Sequence, residues 1–166
     1  MKDNKSTKTQ AGFTLFETIL VVAILSFLFA LTTISFYAIL KRDELTATTQ
    51  ELVSTLKDAQ IRTLSGITVD NQNSTNFGVY FQNQKYTLFE GSTFIANNPN
   101  NNSAIDLPPS IVLAQINLPQ SEIVFEKITG AVKDFDATKN KLIIKNTSNN
   151  QTKTISINKF GVIDVQ

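Results

Sequence analysis

Apolar and polar positions divide this chain into three regimes. Met1 to Gly12 is short and polar. Thr18 to Leu40 contains no charge, no Gly and no Pro. At about 1.5 Å per residue such a helix is roughly 35 Å long, enough to span a bilayer core. From Lys41 the pattern turns amphipathic. Leu45, Leu52, Leu56, Ala59 and Thr63 recur at helical spacing, and Arg42, Glu44, Gln50, Glu51, Lys57, Asp58 and Arg62 fall mostly on the other face. No Pro or Gly interrupts this stretch, so one continuous helix is predicted from Phe13 to about Ser65. Ser65-Gly66 is a stop signal, with Gly66 suited to a left-handed cap. A helix this long needs a packing partner for its amphipathic half.

Beyond Gly66 the period changes to that of strands. Phe77 to Phe81 and Lys85 to Phe89, separated by Gln82-Asn83-Gln84, predict a hairpin. Ser110 to Leu118 is a strand candidate bounded by Pro108-Pro109 and Pro119. Glu122 to Glu126 and Ile128-Thr129 follow. Leu142 to Ile144 and Thr154 to Ile157 form a second hairpin across Asn146 to Thr152, and Val162 to Val165 closes the chain. The tract Asn97 to Ser103 can bury almost nothing and is expected to be a mobile loop. The expected fold class is α+β: a long N-terminal helix packed on an antiparallel sheet of six or seven short strands. The expected divisions are 1–12, a leader; 13–40, the transmembrane half of the helix; 41–66, its amphipathic half; and 67–166, an extracytoplasmic β domain.

Composition narrows the function classes. The 166 residues include no Cys and no His. That removes Ser–His and Cys–His catalysis, thiolate and imidazole metal sites, and disulfides. No acid/base constellation stands out, so no enzyme, no catalytic residues, no metal site and no cofactor are expected. Net charge is +1, which gives no reason to expect nucleic acid as a partner. Lys2, Lys5 and Lys8 against Asp3 make the leader positive, whereas Lys41-Arg42 is cancelled by Asp43-Glu44. The charge bias predicts N-in, C-out in the cytoplasmic membrane. A secretory signal needs a shorter apolar core and a small-x-small site after it. Here the small residue, Gly12, stands before the apolar run.

Gly12-Phe13-Thr14-Leu15-Phe16-Glu17, followed by Thr18 to Leu25, resembles the processing and assembly segment of type IV pilins and type II secretion pseudopilins. The resemblance covers about the first 40 residues. It implies cleavage by a prepilin peptidase between Gly12 and Phe13, N-methylation of Phe13, and an assembly role for Glu17. Other pilin or pseudopilin subunits, an inner-membrane assembly platform and membrane lipid are the implied partners. The final location would be an extracytoplasmic filament. Physical chemistry adds an account of Glu17. Phe13 and Glu17 are i and i+4 on a helix, so the carboxylate can reach the freed amine or a neighbouring subunit's. Glu17 also falls in the first turn, where the helix dipole favours a negative charge. Loss of the leader takes the net charge from +1 to −1.

Two positions depart from the common pilin pattern. Ser26 stands where Gly is frequent, and Ile34 where Pro is frequent. The second favours a straighter helix and a minor component. Ala59 to Gly66, Phe77 to Phe81 and Ile155 to Val165 are also similar to H-type minor pseudopilins.

Several patterns have plainer readings. Asp134, Asp136, Thr138 and Asn140 alternate like the start of a calcium loop. The Gly and the distal Glu of such a loop are missing, so a polar hairpin turn is expected. Phe77, Tyr80, Phe81, Tyr86, Phe89 and Phe94 are expected in a β core rather than in a ligand groove. The functional expectation is a minor pilin or pseudopilin. The alternative is an uncleaved, single-pass, membrane-anchored extracytoplasmic binding module.

Overall fold

The computed structural model describes residues 12–66, 76–96 and 102–166, with the side chains of 31–43 outside the described set. The leader up to residue 11, the connection 67–75 and the first part of the Asn tract, 97–101, lie outside it as well. One helix, α1, runs Leu15–Ser65. It ends where the sequence indicates, with Gly66 in the left-handed region at φ 63°. By backbone contacts the chain divides into two compact units, Met1–Ile39 and Leu40–Gln166.

In the first unit every described side chain from Gly12 to Ala30 is exposed. These include Leu15, Phe16, Ile19, Val22, Leu25 and Phe29, which cover the helix on all sides. A helix apolar all round requires a non-aqueous or protein environment. Among the described residues no helix is long and apolar enough to cross a membrane. The apolar run continues in sequence beyond Ala30, so the expected span over 13–40 rests on the sequence.

Among the described residues the second unit contains the rest of α1 and eight strands: β1 (Phe77–Gln82), β2 (Lys85–Glu90), β3 (Asn102–Asp106), β4 (Ile111–Asn117), β5 (Glu122–Phe125), β6 (Lys141–Asn146), β7 (Thr152–Ile157) and β8 (Ile163–Val165). They form two four-stranded antiparallel sheets, ordered β3-β2-β1-β5 and β4-β6-β7-β8. The α+β class is as expected; the single sheet is not. The β1–β2 turn joins the two sheets, because Asn83 O accepts from Leu113 N of β4 at 2.9 Å. A second tie runs through 130–133: Lys133 N donates to Val124 O, and Val132 N to Lys159 O.

The stripe Leu45, Leu52, Leu56 and Ala59 is buried against residues of both sheets, among them Phe81, Tyr86, Phe125, Ile144 and Ile155. Each such Leu contributes roughly 1.5–3 kcal/mol by leaving water. Thr63 lies on the same face, buried, and its hydroxyl has two partners. It donates to Ala59 O at 2.8 Å and accepts from Phe77 N at 2.9 Å. The last turn of α1 is thereby fastened to the first residue of β1. Gly78 permits a close approach in β1. A Cβ there would stand 2.7 Å from Phe89 Cζ and 2.8 Å from Ile123 O.

Three further sequence expectations need correction. The helix starts at Leu15, not Phe13, so Phe13 and Glu17 are not i and i+4 of one helix in this chain. Asn102 and Ser103 are not loop residues. They open β3, opposite Phe89 and Leu88. An edge strand takes its hydrogen bonds from its neighbour, so a polar composition does not exclude it. Ile128 is not in a strand either; it occupies a turn at φ 74°.

Candidate functional site around Gly12 and Glu17

Gly12, Phe13 and Thr14 precede the helix in irregular backbone. Thr14 sets the boundary. Its carbonyl accepts from Glu17 N at 3.1 Å and Thr18 N at 3.2 Å, opening the helical ladder. Its hydroxyl accepts from Glu17 N at 3.3 Å. Thr14 is thus the N-cap and Glu17 the third helical residue, the Thr-x-x-Glu spacing of a capping box. This role for Thr14 was missed in the sequence, although that spacing directly before an apolar run is its signal. Only the hydroxyl half of the box is formed.

Gly12 is exposed, and a Cβ added to it would meet nothing within 4 Å. Phe13 is 83% exposed. The Gly12–Phe13 peptide bond is therefore outside the helix and sterically open.

The polar side chains of the apolar segment divide sharply. The Thr18 hydroxyl donates to Leu15 O at 3.0 Å and Thr14 O at 3.1 Å, and the Ser26 hydroxyl to Val22 O at 2.8 Å. These hydroxyls are satisfied by their own helix and can enter an apolar environment cheaply. Ser26 thus replaces the more frequent Gly without leaving an orphan donor. The Glu17 carboxylate is exposed and has no hydrogen bond or ion pair with another described residue. A carboxylate entering lipid or a helix bundle without a partner is costly, so its partner must come from elsewhere.

In the other unit four of the six aromatics expected in the core are buried, Phe77, Phe81, Tyr86 and Phe89, whereas Tyr80 and Phe94 are only half-buried. Tyr80 stacks on Phe94 with ring centres 4.2 Å apart, and Phe94 meets the edge of Phe89. Burial raises the Tyr86 phenol above its ordinary value. The hydroxyl makes no hydrogen bond of ordinary geometry, yet Thr55 on α1 lies close enough to oppose the rise, while the Glu51 charge adds to it.

The segment 134–140 forms a closed turn. Asp136 Oδ1 accepts from Thr138 Oγ1 at 2.7 Å and Thr138 N at 2.8 Å, and Asp136 O from Lys139 N at 3.0 Å. The Thr138 hydroxyl and amide bonds hold the Asp136 carboxyl below its ordinary value. Among the described residues no group of three or more acidic side chains is placed to hold a metal ion.

No curated protein and no solved structure matches the chain. Residues 7–33 match the family model described as the prokaryotic N-terminal methylation motif. That stretch contains Gly12, Phe13, Thr14 and Glu17, and the motif is the signature of type IV pilins and pseudopilins. The chain therefore carries a prepilin-type N-terminus ahead of its two-sheet α+β unit.

Proposed function

We propose that this chain is a pilin-like structural subunit, a minor pilin or pseudopilin, processed after Gly12 and assembled into a type IV pilus or type II secretion pseudopilus. The motif over 7–33 carries the reading. The open Gly12–Phe13 bond and a Glu17 carboxylate without a partner among the described residues support it. The motif's family is structural rather than catalytic.

The steps follow from the chemistry of the border. The segment 13–40 inserts with the N-terminus inside. A prepilin peptidase hydrolyses the Gly12–Phe13 bond, leaving a carboxylate on Gly12 of the leader and a free amine on Phe13. A methyl group is then added to that amine, which keeps its charge. Cleavage removes three Lys and one Asp and supplies a new cation for Glu17. In a filament the amine of an adjacent subunit meets the Glu17 carboxylate. The pair offsets the burial of both charges and sets axial register between subunits.

Mass spectrometry of membrane-extracted protein tests this. A mature N-terminus at Phe13, carrying one added methyl, is expected. Gly12→Phe is expected to stop processing. A side chain at position 12 meets nothing within 4 Å, so a block there reports the peptidase and not the fold. An intact leader in the wild type, or unchanged processing of Gly12→Phe, would refute the reading in favour of an uncleaved anchor.

A further inference from the structure

The far end of α1 carries an exposed apolar patch that the assembly segment does not use. Three pieces of chain converge there: the last turns of α1, the turn 126–131 and the turn 158–162. Gln60 joins them, since its side-chain amide donates to Gly130 O at 2.8 Å and to Phe160 O at 3.4 Å. Leu64 packs over Gly130, within 3.2 Å of where a Cβ would lie. Around this junction Ile128 is 83% exposed and Phe160 74%, and Ile61, Leu64 and Val162 are at least half exposed.

Ile128 is unfavourable twice over. Its side chain stands in water, and its backbone is at φ 74°. A β-branched residue in that region is strained, and Gly or Asn would be comfortable there. The turn is held rigidly. Glu126 N donates to Ala131 O at 2.8 Å, Gly130 N to Glu126 O at 2.9 Å, and Lys127 N to Asn76 Oδ1 at 3.0 Å. Among the described residues nothing covers the Ile128 side chain.

We propose that this patch is a two-fold interface with a second copy of the chain, formed in the membrane before filament entry. The proposal rests on the membrane-inserted reading above. Two observations select the occupant. The rim is self-complementary: exposed Glu126 lies beside Lys127, with Lys159 next to Phe160, so a two-fold axis can set acid against base. The area also suffices. At roughly 100 Å² for each of these side chains the pair buries on the order of 1,000 Å², the lower bound for a specific, transient interface.

The absence of Cys permits a clean test. Single-thiol full-length variants Ile128→Cys, Phe160→Cys and, as control, Ile95→Cys are oxidised in membranes, alone and as the 128/160 mixture. Ile95 is 59% exposed and lies outside the patch. Disulfide-linked dimers are expected at 128, at 160 or between them, and not at 95. Equal cross-linking at 95 would mean random collision and would overturn the proposal. So would maleimide-accessible thiols at 128 and 160 that never cross-link, or their capture of a different protein. Quenching of a fluorophore at 128 by brominated lipid would put the patch on the bilayer and overturn it too.

A second variant separates docking from folding. Ile128→Asn is expected to raise the thermal midpoint of the detergent-solubilised chain while lowering Phe160→Cys cross-linking at least fivefold. A lowered midpoint would show that Ile128 serves the fold, against the proposal. Mass analysis of the same membranes keeps the two readings apart. A mature N-terminus without cross-links overturns the dimer alone. Cross-links on an unprocessed chain overturn processing and leave the dimer standing.

Discussion

The joint between α1 and β1 offers the sharpest quantitative prediction. Thr63 is 1% exposed and Phe77 3% exposed, and the Thr63 hydroxyl is the acceptor for Phe77 N at 2.9 Å. Thr63→Val keeps the shape and removes the acceptor. The Phe77 amide is then buried without a partner, which costs about 1–3 kcal/mol. The lost bond to Ala59 O matters less, because a helix carbonyl retains its backbone partner. A net loss of about 2 kcal/mol lowers the folding equilibrium about 30-fold. For a unit of this size it lowers the midpoint by roughly 4–8 °C. Thr63→Ser keeps the hydroxyl and loses one methyl, about 1 kcal/mol. The assay is urea unfolding of the full chain in detergent, followed by tyrosine near-UV circular dichroism. The expected order is wild type, then Ser, then Val, with an unchanged denaturant slope. If Val matches wild type, or Ser is worse than Val, the methyl and not the hydroxyl makes the joint.

Three further outcomes are expected. Thr14→Ala removes the cap, worth about 1 kcal/mol, so hydrogen exchange at the Glu17 amide is expected to rise about fivefold, with Thr14→Ser restoring protection. Glu17→Val is expected to leave cleavage and membrane insertion intact but to impair entry into filaments; normal incorporation in a pull-down of assembled filaments would count against the register role. For Tyr86, whose phenol pKa is raised by folding, the folded state disfavours the phenolate, so stability is expected to fall as pH rises through 10, the ordinary tyrosine value, towards the raised one. Tyr86→Phe is expected to remove its share of that alkaline slope in denaturation midpoints taken between neutral and alkaline pH.

Some features of this chain are fixed by local order alone. The stripe Leu45, Leu52, Leu56, Ala59 and Thr63 is legible because helical period is a property of neighbouring residues, and every member of it is buried. Gly66 ends the helix because only a residue without a Cβ takes that conformation at no cost. The hairpins β1–β2 and β6–β7 are legible because short turns join like patterns. The prepilin-type motif is legible because a peptidase and a membrane read linear sequence, so its information lies in consecutive residues.

Other features were decided by distant partners. The division into two sheets depends on which strands pair. Alternation within a strand does not encode that choice. Strand β3 exists because β2 offers it a ladder; Asn102 and Ser103 would not form a strand by propensity. Thr63 looked like one more small residue on the stripe until Phe77, fourteen positions on, supplied its donor. Ile128 looked like the continuation of a strand until the closure of its turn gave it a strained backbone and an exposed side chain. In each case the deciding energy is a hydrogen bond or a contact between residues far apart in sequence, and only the folded chain brings them together.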